Sequence, residues 1–167
     1  ESEQIYATRF IGDRGYVVTF RQIDPLFVLD LADARAPRIA GELKIPGFSN
    51  FLYPLPDHQL FSIGQEADVN GVTQGVALQI FDVRDAAAPS LAHKYVIVGD
   101  GYSAANYDHR AISFHPDQDL VAFPYQSYQT ATNRLEVFHV SAADGIRRVG
   151  AVAASDEPRT LEECLRI

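Results

Sequence analysis

The chain has 167 residues, a mass of 18.5 kDa, a formal net charge of −8 and a pI near 5.0, with 47% hydrophobic and 22% charged residues. That composition suits one globular domain, or a piece of a larger one, and not a disordered segment; the acidic balance excludes a surface that tracks nucleic-acid phosphates, which needs clustered Lys and Arg. No apolar run approaches the roughly 18 residues of a membrane span, and the single Cys, Cys164, excludes an internal disulfide framework or a multi-cysteine zinc site.

In chain order, runs rich in Val, Ile, Leu, Phe and Tyr, bounded by Gly, Pro, Asp or Asn, predict short strands in groups of four. The first group is Thr8–Ile11, Tyr16–Phe20, Leu26–Leu31 and Arg38–Ile45. The second is Phe51–Leu55, Leu60–Gly64, Val76–Val83 and Leu91–Val98. The third is Arg110–Phe114, Leu120–Tyr125, Leu135–Val140 and Arg147–Ala153. Leu55-Pro56-Asp57 and His115-Pro116-Asp117 place a Pro ahead of an Asp between strands, which presets the backbone angle of a turn. No long stretch carries a helical period.

The groups repeat. Asp30-Leu31-Ala32-Asp33-Ala34-Arg35-Ala36-Pro37 returns 52 residues later as Asp82-Val83-Arg84-Asp85-Ala86-Ala87-Ala88-Pro89, with five of eight positions identical. A weaker third copy, Leu135-Glu136-Val137-Phe138-His139-Val140, puts His139 where the second has Asp82. Four strands recurring every 40–50 residues or so is the period of a β-propeller blade. The expected fold is therefore all-β: a partial β-propeller of about three four-stranded antiparallel blades (8–47, 48–101 and 108–154) plus the start of another. The tail 155–167 reads either as a truncated next blade, with Cys164-Leu165-Arg166-Ile167 as an innermost strand, or as a short helix begun at Pro158.

Propellers usually have about four to eight blades. Three would leave apolar blade faces uncovered, so either the rest of a parent chain or further copies of this one are expected to complete the ring. With no Met in the sequence, residue 1 is not expected to be a translation start, and the chain is expected to be a processed or cut piece.

The stretches Ile5-Tyr6-Ala7-Thr8-Arg9-Phe10-Ile11-Gly12-Asp13-Arg14-Gly15-Tyr16-Val17-Val18-Thr19-Phe20, Asp24-Pro25-Leu26-Phe27-Val28-Leu29-Asp30-Leu31 and Gly41-Glu42-Leu43-Lys44-Ile45-Pro46-Gly47-Phe48-Ser49 resemble the C-terminal β-propeller domain of prokaryotic secreted proteins, a family distantly related to WD40 repeats. Leu78-Gln79-Ile80-Phe81-Asp82-Val83, Gly101-Tyr102-Ser103 and Tyr107-Asp108-His109-Arg110-Ala111 extend the likeness. It covers residues 5 to about 140 and implies an extracytoplasmic propeller with more blades than are present here. It carries over no activity and no catalytic residue. The chain departs from true WD40 repeats in having no Trp, and hence no Trp-Asp dipeptide.

Strand parity places the candidate site. If the four strands of a blade, a to d, run antiparallel from the axis outward, the b–c and d–a connections share one rim and the a–b and c–d connections the other. The long connections 65–75, 99–109 and 126–134 are all of the first kind, and long loops on a rigid scaffold carry binding. Tyr102, Tyr107, Asp108, His109, Tyr125, Gln126 and Tyr128 are the candidate ligand contacts, because tyrosine rings and amides together suit protein, peptide or glycan recognition. His109 has a second reading, as the polar opening of an innermost strand. Glu66, Asp68 and Asn70 before Gly71 resemble the first half of a calcium loop, although Ala77 stands where the bidentate Glu belongs. A solvated hairpin loop explains the same residues.

The leading expectation is a binding or scaffold module without catalysis and without a required cofactor. The rivals are a hydrolase or lyase at the propeller mouth, drawing on Asp100, Asp108 and His109, and a structural domain with a calcium-rigidified loop.

Overall fold

The computed structural model describes residues 4–20, 24–45, 47–68, 70–128 and 130–153. Three four-stranded antiparallel sheets follow one another along the chain, and in each the strands lie side by side in chain order. The first holds β1 (Gln4–Ile11), β2 (Arg14–Phe20), β3 (Asp24–Asp30) and β4 (Arg38–Ile45). The second holds β5 (Phe48–Leu55), β6 (Gln59–Ala67), β7 (Thr73–Asp82) and β8 (Ser90–Val98). The third holds β9 (Ser113–His115), β10 (Leu120–Gln126), β11 (Asn133–Ser141) and β12 (Gly145–Ala153). Each is one blade of a partial β-propeller, as the period of the sequence predicts. The reading of 155–167 lies outside the described residues.

The repeated octapeptide is a pair of turns built from carboxylates. Asp30 Oδ1 accepts from the Ala32 amide and Asp33 Oδ1 from the Arg35 amide, at 3.0 and 2.9 Å. Asp82 and Asp85 do the same for Arg84 and Ala87, at 3.0 and 2.9 Å. Asp is favoured at such positions because its short side chain bonds the backbone two residues on. The third blade keeps the register and changes the turn. Leu31 N donates to Asp13 O, Val83 N to His58 O and Val140 N to Asp119 O, so His139 stands where Asp30 and Asp82 stand. His139 makes no such turn; β11 runs on to Ser141, whose Oγ accepts from Ala143 N at 3.1 Å.

The sheets pack face to face, and the second blade is covered on both sides. Period-two alternation sends Phe61, Ile63, Val76, Leu78 and Ile80 toward the third blade and Leu60, Phe81 and Val83 toward the first. Both faces of β7 are therefore dry, and the strand is buried almost end to end. Aromatic contacts close the inner edge: Tyr53 of β5 stacks on Phe114 of β9 with ring centroids 3.7 Å apart, and Phe61 meets Phe114 edge-on at 5.6 Å. Side chains also clip one blade to the backbone of the next. Arg14 Nη1 donates to Val83 O at 2.7 Å, and Gln59 Nε2 to Ala142 O at 3.4 Å. At Gly41 the first two blades approach so closely that a Cβ would lie 2.3 Å from Ala86 O.

An ion triad centred on a buried carboxylate, with its two arginines partly exposed, sits beside the aromatic core of the third blade. Glu136 is fully buried beside Phe138 and Val140 on alternate positions of β11. It accepts from Arg134 Nε at 2.5 Å and from Arg148 Nε at 2.7 Å. Arg134 in turn lies over the Tyr125 ring, 4.6 Å from its centroid.

The innermost strand of the third blade departs from expectation. Instead of Arg110–Phe114 it is only Ser113–His115, and His109 heads a 3-10 turn (His109–Ala111) that follows another (Ala104–Asn106). Pro124 is the physical reason. Gln126 faces the inner side of β10, where it exchanges backbone hydrogen bonds of 2.9 Å with Tyr102. Two residues earlier, Pro124 faces the same side and has no N–H to give a neighbouring strand. The ladder therefore breaks between the Tyr102–Gln126 bridge and the Ser113–Ala122 pair. Ser103 Oγ fills the gap by donating to Pro124 O at 2.6 Å, and residues 104–112 loop out. The strands of the second blade are longer than the sequence suggests, so the expected 65–75 connection shrinks to 68–72.

Three outcomes follow. Phe81→Ala is expected to cost about 3–5 kcal/mol in chemical denaturation, because the cavity opens in a core shared by two blades; a loss under about 1 kcal/mol would refute that packing. Glu136→Ala is expected to cost about 1–3 kcal/mol, since it removes the shared acceptor of two arginines that remain partly open to water. Asp108 caps the second 3-10 turn, and the Arg110 side chain, then the Arg110 amide, hold its carboxyl down to about 2. Its ionised form supports the turn above the ordinary value of 3.8, and that support is lost as pH falls through about 2. Carbon-detected NMR titration should place the Asp108 midpoint there, and Arg110→Gln should return it toward 3.8.

Candidate functional site

On the rim that carries the b–c and d–a connections, two loops of the third blade meet: 99–112, which leads into β9, and 127–132, between β10 and β11. The Tyr102–Gln126 bridge joins them at their base. The Tyr102 hydroxyl donates to Gln126 Oε1 at 2.6 Å, and Ser127 Oγ donates to Asp100 Oδ1 at 3.4 Å. Above this base the Tyr102 and Tyr128 rings stack, with centroids 5.1 Å apart and planes at 22°. Tyr128 is 64% and Tyr107 78% exposed. Partial desolvation by its neighbours raises the exposed Tyr128 hydroxyl above its ordinary value, and the nearby Tyr102, Tyr107 and Asp100 push it in the same direction. The result is an aromatic patch with a carboxylate and an amide at its edge.

The floor beneath the patch is fixed. Tyr125 is 3% exposed, so this residue, expected as a ligand contact, is instead part of the core. Alternation along β10 explains it: Val121, Phe123 and Tyr125 all face the second blade. Burial is the main cause that raises its hydroxyl, with the Arg134 charge opposing. Gly101 lies against that hydroxyl, and a Cβ there would come within 2.1 Å of it and 2.7 Å of Gln126 O. A side chain at 101 would lift the loop from its base.

The other candidates are not gathered here. Asp108 accepts from Arg110 N, Nε and Nη2 at 2.9, 3.1 and 3.0 Å. His109 faces a separate concavity beside β1 and β5. Asp108 and Asp100 are thus engaged by Arg110 and Ser127, while His109, next to Asp108, lines the other concavity. Of the calcium candidates, Asp68 Oδ1 accepts from the Asn70 and Val72 amides, both at 2.9 Å. Those backbone bonds, that to Val72 first, hold its carboxyl below the usual range. Glu66 lies in β6 and forms an ion pair with Lys94 of β8. Among the described residues no three His, Cys, Asp or Glu side chains gather as a metal site. Nor is any helix among them long and apolar enough to cross a membrane.

Sequence reasoning passed over Arg134, Glu136 and Arg148. The signal was available, because Arg134 and Glu136 are two apart on a strand and so share a face. Arg9 and Asn50 carried no such signal, since their juxtaposition arises only between blades.

Two uncharacterized archaeal proteins are similar to part of the chain. That of Archaeoglobus fulgidus is 44% identical over 95 residues, covering 57% of this chain and 14% of the relative. That of Methanocaldococcus jannaschii is 38% identical over 95 residues, with the same coverage of each. The matched segment thus spans only 14% of the length of these relatives. The model of the β-propeller domain family matches residues 1–165, and with three successive four-stranded blades the chain belongs to that family.

Proposed function

We propose that the chain is an extracytoplasmic binding or scaffold module that offers the rim of its b–c and d–a connections to a protein, peptide or glycan, without catalysis. The observation that carries this reading is the stacking of Tyr102 on Tyr128 across two loops joined at their base, with Tyr128 and the nearby Tyr107 largely exposed. Exposed tyrosines held at low entropy cost are favourable contact surface, since each supplies flat apolar area and a polar tip. Asp100 and Gln126 at the edge supply acceptors that orient a ligand's donors.

The rival enzymatic reading needs an acid and a base converging on one point. Asp108 is taken up by Arg110 and Asp100 accepts from Ser127, which favours binding over hydrolysis or elimination. The calcium-rigidified reading has less support, because Asp68 and Glu66 are already engaged by backbone amides and by Lys94.

The test is a screen of the chain against immobilised glycans and peptides, followed by calorimetry on whatever binds. Tyr107→Ala and Tyr128→Ala are each expected to weaken that binding roughly 30-fold, about 2 kcal/mol, with unchanged melting temperatures. A partner indifferent to both changes would overturn the assignment of the patch. Gly101→Ala is expected to reduce binding as well, with the amides of residues 99–103 losing protection in hydrogen exchange.

A further inference from the structure

The rim patch repeats, in the open, a combination of groups that the chain fills from within just beneath it. There the Arg134 guanidinium lies over the Tyr125 ring, 4.6 Å from its centroid, and its Nε donates to Glu136 Oε1 at 2.5 Å. A ring face and a carboxylate together hold a guanidinium well, because the plane stacks while the N–H edge pairs with the negative oxygens. On the rim a ring and a carboxylate again stand near one another. Tyr128 stacks on Tyr102 through one face and is 64% exposed, so its other face is open to solvent. Asp100 and Tyr107 both lie close enough to Tyr128 to raise its hydroxyl. Asp100 is exposed, and among the described residues its only partner is the Ser127 hydroxyl, which donates to Oδ1 at 3.4 Å. Its Oδ2 is left to solvent. The neighbouring guanidinium groups are taken, that of Arg110 by Asp108 and that of Arg134 by Glu136.

We propose that the rim patch binds an arginine side chain presented by a partner peptide segment, which deepens the rim reading above and rests on it. The guanidinium lies against Tyr128, on the side that Tyr102 leaves open, and donates to the Asp100 carboxylate. The net charge of −8 draws a cationic segment toward the chain. A neutral glycan uses the rings but leaves the Asp100 charge unpaired. The patch is open rather than enclosed, which suits a side chain carried on a peptide better than a free small molecule, whose binding needs most of its surface buried.

NMR titration of the chain with four capped tripeptides, Gly-X-Gly with X as arginine, citrulline, lysine or glutamate, and with choline tests it. The arginine peptide is expected to shift the amides of residues 99–103 and 126–128 saturably. Citrulline keeps the plane and removes the charge, so its peptide is expected to bind about tenfold more weakly or less. The lysine peptide is expected to fall between them, because an ammonium pairs without stacking. Asp100→Asn keeps an acceptor for Ser127 and is expected to bring the arginine peptide down to the citrulline level while leaving the citrulline peptide as it was. Should that variant fold poorly, the parent chain at low and high salt decides, since only the arginine and lysine peptides should weaken as salt rises. The proposal is overturned if the arginine peptide does not bind, if the citrulline peptide binds as tightly, if choline or the lysine peptide binds more tightly, or if a folded Asp100→Asn binds arginine as the parent does. A neutral ligand that depends on Tyr107 and Tyr128 but not on Asp100 overturns the arginine and leaves the rim reading standing. A ligand indifferent to both tyrosines overturns the two together.

Discussion

Face-to-face burial of the middle blade is the constraint on which the rest of the molecule depends. A sheet must cover its apolar faces, and a blade has two of them. Val76 to Phe81 form a nearly unbroken apolar run because both sides of β7 are dry, one against the first blade and one against the third. The flanking blades show the contrast. In β11, buried and half-buried residues alternate, since only one face is fully covered. Two polar clusters enter these interfaces in company: Glu136 with two arginines, and Ser49 Oγ with Ser62 Oγ at 2.8 Å beside Gln79.

Pro124 links that packing to the rim patch and to the concavity beside β1 and β5. A proline within β10 removes one donor from the side that faces the innermost strand. The strand therefore divides, and the chain between its halves forms the two short turns. One half presents Tyr102 to Gln126 and sets the base of the tyrosine patch. The looped-out residues bring Tyr107 to the rim and His109 to the cavity beside β1 and β5. A continuous innermost strand would have placed those residues in a ladder, with alternate side chains directed into the core.

The rim patch and the inner concavity differ in their ionisable groups. The rim patch has Asp100 at its edge, while the guanidinium of Arg110 is engaged by Asp108 and that of Arg134 by Glu136. Among the described residues, the inner concavity is lined by Arg9 and His109 and by no carboxylate.

The strand order and the blade period were legible in the sequence, because strand propensity, turn chemistry and a repeated octapeptide are all local. The same locality made the register of His139 with Asp30 and Asp82 readable, since equal hairpins place equal positions at the strand end. Three features waited on tertiary structure. Whether Tyr125 faces solvent or core is set by the blade packed against β10. The division of the innermost strand depends on which edge of β10 Pro124 presents. The pairing of Arg9 with Leu52 O and the enclosure beside Asn50 arise only where separate blades meet, at a separation along the chain that no local pattern encodes.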